Sequence, residues 1–274
     1  MAVYLKGCPL SCRWCHSPES RRPEPELIYI KDRCQLHGDC ANACPNNVHS
    51  LDTDHRISWQ QCKTCGHCVE NCPSGALAIK GYTVAPQTIV SKAVRLKPFF
   101  NSSGGGITLT GGEVTLQSDF AAEVLEGCQQ EGIHTAIETC GACSWSRFEQ
   151  LLPHTDLILL DLKLIDPEQH QQWTGAHNDQ ILTNVERLAE HDIQVRVPLI
   201  PGITDTQDNL QAIFTFMNQA GLHSVALLPY NPSAGAKYEW LGETYELDEQ
   251  PRNRRQLDSM VNTAIAAGLS ASVG

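Results

Sequence analysis

Residues 106–138 read GITLTGGEVTLQSDFAAEVLEGCQQEGIHTAIE. Gly106–Thr110 is a short apolar, β-branched run closed by two glycines. Ser118–Gly132 carries apolar residues at helical spacing, with Ser118 placed as N-cap and Gly132 as the residue just past the helix. His134–Glu138 is again strand-like. Strand, helix, strand within about thirty residues is a βαβ unit, and it demands parallel strands joined by a right-handed crossover.

The alternation continues outward. Leu157–Leu160, Gln194–Leu199 and Ser224–Leu228 read as strands, and Asp179–His191, Asp205–Gly221 and Arg252–Gly268 as helices. Val3–Leu5 supplies one further strand ahead of them, giving six β/α units. A full eight-unit barrel takes ~250 residues, more than remain once a cysteine-rich stretch at 28–80 is set aside. The expected fold is α/β: a partial (β/α)6 TIM-like barrel from 1–27 and 81–274, with 28–80 inserted as a second domain.

Composition narrows the chemistry. The chain has 274 residues, with 20 Lys+Arg against 31 Asp+Glu and a net charge of −11. That balance lacks the cationic footprint a nucleic-acid binder needs. No apolar run approaches a membrane span, and Met1–Lys6 does not resemble a signal peptide, so a cytoplasmic protein without nucleic-acid or membrane partners is expected. Of 13 cysteines, 10 fall within residues 8–72. A disulfide framework would need an oxidising compartment and usually a shorter chain, so this clustering points to metal.

The stretch 28–80 repeats itself. Cys34, Cys40 and Cys44 recur at Cys62, Cys68 and Cys72, each displaced by 28, and Pro45 and Pro73 follow at the same offset. Cys62-x2-Cys65-x2-Cys68-x3-Cys72-Pro73 is the bacterial ferredoxin spacing for [4Fe-4S] clusters, in which the fourth cysteine crosses to the other cluster. A zinc ribbon also uses Cys-x2-Cys pairs, but it has no use for the third cysteine, the x3 step or the proline. The same offset maps Cys65 onto His37. One cluster would then use Cys44, Cys62, Cys65 and Cys68; the other would use Cys34, Cys40 and Cys72, with His37 at its fourth corner. A three-iron cluster beside His37, or no cluster there, are the alternatives, so one or two auxiliary clusters are expected.

Cys8-x3-Cys12-x2-Cys15 has no fourth cysteine. Three thiolates leave one iron of a cubane without a protein ligand, open to a small molecule; the competing readings are a truncated ferredoxin motif, or zinc completed by a histidine such as His16. With Trp14 before the last cysteine, the motif resembles the signature of the radical S-adenosylmethionine enzymes. Lys6-Gly7-Cys8-Pro9-Leu10, His16-Ser17-Pro18-Glu19-Ser20 and the two-cluster stretch resemble, within them, the activating enzymes of glycyl radical enzymes.

The resemblance implies that the open iron chelates S-adenosylmethionine through its amino and carboxylate groups. One electron then cleaves the cofactor, and the resulting 5′-deoxyadenosyl radical takes a hydrogen atom from the Cα of a partner's glycine. It implies cofactor contacts from Trp14, Cys15 and His16, and from Gly111, Gly112 and Glu113, which match the family's Gly-Gly-Glu motif although Val114 stands where proline is usual. In that motif two glycines permit close approach to a ligand, and a carboxylate suits an ammonium group. Glu138 and Thr139, Asp161, Leu162 and Lys163, Arg196 and Asn231 close successive strands, where such folds place their chemistry. Glu138, Thr139 and Asp161 are implied to lie beside a monovalent cation. Asn231 replaces a frequent histidine, and Ser17 a frequent asparagine.

No acid–base residue is expected, because the cofactor carries the chemistry. The implied partners are a glycyl radical enzyme and, for low-potential electrons under anaerobic conditions, flavodoxin or ferredoxin. Relatives carry a longer lead-in before the first strand, including Asp-Gly-Pro-Gly-Ile-Arg, whereas seven residues precede Cys8 here. If that segment binds cofactor or partner, the chain is expected to hold its clusters yet activate poorly. Cys140-x-x-Cys143 reads as structural rather than redox-active, and Cys128 as core. Other radical S-adenosylmethionine maturases with auxiliary clusters, and non-catalytic polyferredoxin-type carriers, are the rival functions.

Overall fold

The computed structural model describes residues 1–274. Val3, Tyr4 and Leu5 favour extended backbone, and β1 (Ala2–Leu5) opens the chain. After the first cysteine loop come β2 (Glu26–Tyr29), α1 (Asp39–Ala43), β3 (His49–Leu51), β4 (His55–Ile57), α2 (His67–Glu70) and β5 (Leu77–Lys80). Then α3 (Pro86–Arg95) starts on a proline, whose missing N–H costs nothing in the first turn. α4 (Lys97–Ser103) ends at Gly104. The alternating part follows: β6 (Gly106–Gly111), α5 (Ser118–Gln130), β7 (His134–Thr139), α6 (Trp145–Leu151), β8 (Leu157–Asp161), α7 (Pro167–Thr174), α8 (Asp179–Leu188), β9 (Ile193–Leu199), α9 (Gln207–Gln219) and β10 (Ser224–Pro229). The chain closes with α10 (Gly235–Trp240), α11 (Arg254–Ala266) and β11 (Ser270–Val273).

One parallel sheet runs β1-β6-β7-β8-β9-β10-β11. Its six expected strands lie where the sequence puts them. The seventh was not expected: Ser-Ala-Ser-Val has no apolar run, and β11 is mostly exposed at the sheet edge, held by its register against Ser224–Leu227. Ser118 is not the N-cap of α5. A 3₁₀ turn over Val114–Gln117 precedes the helix, capped by the Glu113 side chain, and the buried Ser118 hydroxyl instead accepts from Arg147 Nη1 at 2.8 Å. Gly132 does sit past the helix end, at φ 66°. α6 and α7, of seven and eight residues, are too short to print a period on the sequence. A core of 34 buried residues fills the space between sheet and helices, with Phe148, Phe214 and Cys128 fully enclosed.

Although β1 and β6 are paired, residues 26–80 come between them in sequence. Those residues form two antiparallel pairs, β2 with β5 and β3 with β4. The 28-residue repeat extends to the backbone. Left-handed Leu36, Gly38 and Asn47 (φ 56°, 88° and 51°) correspond to Thr64, Gly66 and Gly75 (52°, 84° and 63°). The 3₁₀ turns Lys31–Arg33 and Trp59–Gln61 also match, as do the starts of α1 and α2.

The two glycines after β6 serve the chain's own packing. Gly111 has φ 109°, and a Cβ there would meet the Leu5 backbone; at Gly112 it would collide with the Gly7 carbonyl and crowd that of Ser20. The first cysteine loop therefore lies directly on Gly112. Gly112→Ala should cost about 1–3 kcal/mol through overpacking and loosen that loop, read as a lower melting temperature of the metal-free protein together with less iron retained at Cys8, Cys12 and Cys15.

Candidate active site

The loop carrying Cys8, Cys12 and Cys15 is closed on itself and pinned to the scaffold. Gly7 N–H donates to Ser20 O at 2.8 Å and Cys8 N–H to Arg21 O at 2.9 Å. Ser11 and Arg13 donate their N–H groups to Thr174 and Trp173 at the end of α7. Lys237 Nζ, on α10, donates to the His16 carbonyl at 2.9 Å and to Glu19 at 3.0 Å. Trp14, 7% exposed, roots the loop in a small apolar cluster with Leu10, Ile200 and Tyr230.

This loop roofs a cavity of about 460 Å³ at the C-terminal ends of the strands. The three cysteines line one side with Trp14 and His16. Gly111 and Gly112 follow β6, Glu138 and Thr139 end β7, Asp161 ends β8, Lys163 lies two residues on, Arg196 projects from β9, and Asn231 follows β10; all line the same space. Two expected residues do not. Leu162 is 2% exposed and belongs to the main core. Glu113 is fully buried outside the cavity, its oxygens taken by Thr115 N–H and Oγ1 (3.2 and 2.8 Å), Thr139 Oγ1 (2.7 Å) and Cys140 N–H (2.7 Å). Its carboxylate is spent tying β6 to β7 and does not face an ammonium group.

The polar wall is a charge-balanced lattice. Arg196 bridges two strand ends, donating from Nη1 to Glu138 at 2.7 Å and from Nε to Asp161 at 2.8 Å. Lys163 Nζ reaches Asp161 at 3.3 Å, and the Thr110 hydroxyl donates to Glu138. Burial alone would raise the Asp161 carboxyl, but Lys163 and Arg196 outweigh it and hold it below the usual range. Burial works against the charge on Lys163 and Arg196 too, and the acidic neighbours overcome it and raise both. Asp161, Lys163 and Arg196 are therefore ionised at neutral pH.

The thiols differ among themselves. Burial pushes Cys12 up to about 12 and raises Cys15. A hydrogen bond from the Cys140 thiol lowers Cys8 despite burial. Cys140 thus lines the cavity against Cys8, a position its sequence gave no signal for, while Cys143 turns toward Thr115. All 13 cysteines are free thiols. Arg21, Pro198, Ile200 and Tyr230 also line the cavity unanticipated, because they come from turns and apolar runs without a motif.

In the repeat, Cys34, His37, Cys40 and Cys72 line a second, smaller cavity. Burial raises the Cys40 thiol, and Cys34 and Cys72 push the same way; burial takes Cys68 up to about 11, reinforced by Cys62, Cys44 and Cys65. Each group therefore draws its last cysteine from the other half of the repeat. These sets, and the three thiols of the larger cavity, have the donor chemistry of iron–sulfur clusters: several sulfurs converging, all but Cys65 at least half-buried, without disulfide pairing.

Residues 61–216 match the Radical SAM superfamily, and residues 26–80 match a 4Fe-4S dicluster domain. The chain is 36% identical over 259 residues to the choline trimethylamine-lyase activating enzyme of Oleidesulfovibrio alaskensis, covering 91% of this chain and 84% of that one. It belongs to the glycyl-radical-enzyme activating enzymes of the radical S-adenosylmethionine superfamily. This family member is also 34% identical over 279 residues to the trans-4-hydroxy-L-proline dehydratase activating enzyme of Clostridioides difficile, covering 99% of this chain and 92% of its relative. A solved domain of a pyruvate-formate lyase-activating enzyme from Bacteroides vulgatus superposes with a TM-score of 0.53 at 28% identity, over 62% of this chain and 99% of that one. The activating enzyme has no helix long and apolar enough to cross a membrane.

Proposed function

We propose that this chain binds S-adenosylmethionine in the 460 Å³ cavity and installs a radical on a glycine of a partner glycyl radical enzyme. The observation that carries the reading is the convergence of one three-cysteine loop with charged side chains from β7, β8 and β9 on a single space. Cys8, Cys12 and Cys15 would hold a [4Fe-4S] cluster. Bound there, such a cluster would supply the single electron for reductive cleavage of the sulfonium, the chemistry that ends in loss of a hydrogen atom from the partner's glycine Cα. Arg196 and Lys163 are the cations for the methionyl carboxylate, and Asp161 and Glu138 the anions for its amino group. Glu138, Thr139 and Asp161 also offer the oxygen ligands a monovalent cation takes. Gly111, Gly112, Trp14, His16 and Asn231 shape the remaining wall and exclude water.

The parallel sheet suits a partial (β/α)6-type barrel from 1–27 and 81–274, carrying 28–80 as a ferredoxin-like insert. Pairing of β1 with β6 across that stretch supports the division. The insert would hold two auxiliary [4Fe-4S] clusters, His37 completing the one at Cys34, Cys40 and Cys72, and would accept electrons from flavodoxin or ferredoxin.

Anaerobically reconstituted protein, given dithionite and S-adenosylmethionine, should release 5′-deoxyadenosine and methionine. With its partner it should also produce a glycyl radical doublet by electron paramagnetic resonance. Clusters that cycle without cleaving S-adenosylmethionine would make the chain an electron carrier and overturn the proposal.

A further inference from the structure

The two halves of the repeat, superposable in sequence by 28 residues, differ most in what surrounds their sulfurs. The offset sets His55 of the second half against Leu27 of the first, and His49 of the first half against Leu77 of the second; the histidines are 8% and 7% exposed and the leucines 3% each. The registers confirm the equivalence. Leu27 pairs with Ile79 as His55 pairs with Leu51, and Tyr29 with Leu77 as Ile57 with His49. Two buried imidazoles thus stand on β3 and β4, each where the opposite half has an aliphatic side chain.

Their contacts run toward one set of thiols. His55 Nδ1 lies 3.6 Å from Cys34 Sγ, and its Nε2 lies 3.9 Å from Cys40 Sγ and 2.9 Å from His49 Nδ1. Tyr29 packs edge-on against the His55 ring at 4.6 Å. His49 Nε2 is buried and has no partner. Two facing ring nitrogens 2.9 Å apart need one donor and one acceptor. A metal-bound thiolate only accepts. With Cys34 as thiolate, the assignment that gives it a proton is His49 Nδ1–H to His55 Nε2, then His55 Nδ1–H to Cys34 Sγ. The orphaned His49 Nε2 is then the lone pair left at the far end of the relay.

We infer that His55, oriented by His49, donates a hydrogen bond to the Cys34 thiolate and raises the reduction potential of the Cys34/Cys40/Cys72 cluster. This rests on the proposed two-cluster occupancy of the insert. Donation to a ligating sulfur withdraws negative charge and favours the reduced, more negative cluster, and hydrogen bonds to the sulfurs are among the determinants of cluster potential. The cluster at Cys44, Cys62, Cys65 and Cys68 has sulfur contacts of its own, from Thr64 N–H to Cys62 Sγ at 3.4 Å and between His67 Nδ1 and Cys65 Sγ at 3.2 Å, and neither involves His55. His55 and His49 are positioning residues: neither need touch iron. Nδ1 and Nε2 of His55 lie between two sulfurs, as a flanking side chain does, whereas His37 occupies the ligand position equivalent to Cys65.

The test is a dithionite titration of reconstituted full-length protein, followed by electron paramagnetic resonance, for wild type, His55→Leu and His49→Leu. Each substitution installs the residue of the other half. In both variants one auxiliary step should move to lower potential, further in His55→Leu, with the other step and the iron content unchanged. Both steps staying in place with iron intact would overturn the inference. So would loss of one cluster's iron from His55→Leu, which would make the imidazole a ligand. Wild-type protein holding iron for only one cluster would instead overturn the two-cluster reading beneath it.

Discussion

Cys12→Ala should abolish reductive cleavage of S-adenosylmethionine while removing only about a third of the iron, one of the three clusters proposed. The substitution is nearly silent for packing. Cys12 is 8% exposed among Leu10, Trp14, Ile200 and Tyr230, and a methyl group in the same apolar setting leaves a gap the size of one sulfur. The thiol's acidity is suppressed to about 12 by burial, so in the metal-free chain it behaves as one more apolar group. What the variant loses is therefore the thiolate, and with it one of three anchors. Two remaining cysteines on a closed loop do not hold a cubane whose fourth iron has no protein ligand. The auxiliary thiols belong to a separate apolar cluster around Leu27, Cys40, Cys68 and Leu77, so their iron should stay. Cys128→Ala is the control: its thiol is fully enclosed in the main core, away from the cavity, and cleavage should persist. Iron content and 5′-deoxyadenosine release decide both. Undiminished cleavage in Cys12→Ala would remove the three-cysteine loop from the chemistry.

Much of this architecture is visible in the chain because its signals are local. The ferredoxin spacing from Cys62 to Cys72 and its echo from Cys34 fix a duplicated module, and the duplication proved to extend to individual left-handed residues such as Leu36 and Thr64. The strands β6 to β10 announce themselves as apolar runs because a parallel sheet is buried on both faces. Their ends then deliver Glu138, Asp161 and Arg196 to one place. β11 was hidden because Ser270–Val273 borrows its conformation from β10 and has no pattern of its own. Leu162 shows the other limit. It sits between two cavity residues, Asp161 and Lys163, but alternation along the chain turns it into the core. Cys140 meets Cys8 from 132 positions away, a proximity set only by the pairing of β1, β6 and β7. His49 and His55 carry no motif, and only their burial singles them out.

Glu113→Gln should lower the stability of the metal-free protein by about 1–3 kcal/mol, although it changes a single atom. Oε1 of Glu113 accepts from Thr115 N–H, Thr115 Oγ1 and Thr139 Oγ1, and a carboxamide oxygen placed there keeps all three. Oε2 accepts from Cys140 N–H at 2.7 Å. The amide NH2 that replaces it would face that donor with another donor, deep in a site with no exposure to water. Rotating the amide by half a turn only moves the conflict onto the three donors at Oε1. The carboxylate is suited to this place because it accepts at both oxygens and its charge is met by four donors. The same contact sets function, because Cys140 N–H lies just past the end of β7 and the Cys140 thiol rests on Cys8. A misaligned strand end should therefore also weaken retention of the Cys8 cluster. The outcome separates two roles for the Gly-Gly-Glu stretch. A structural carboxylate predicts a lower melting temperature before any iron or S-adenosylmethionine is added. A carboxylate that touched the cofactor's ammonium would leave the metal-free melt unchanged and weaken S-adenosylmethionine binding alone, and that result would overturn the buried-tie reading.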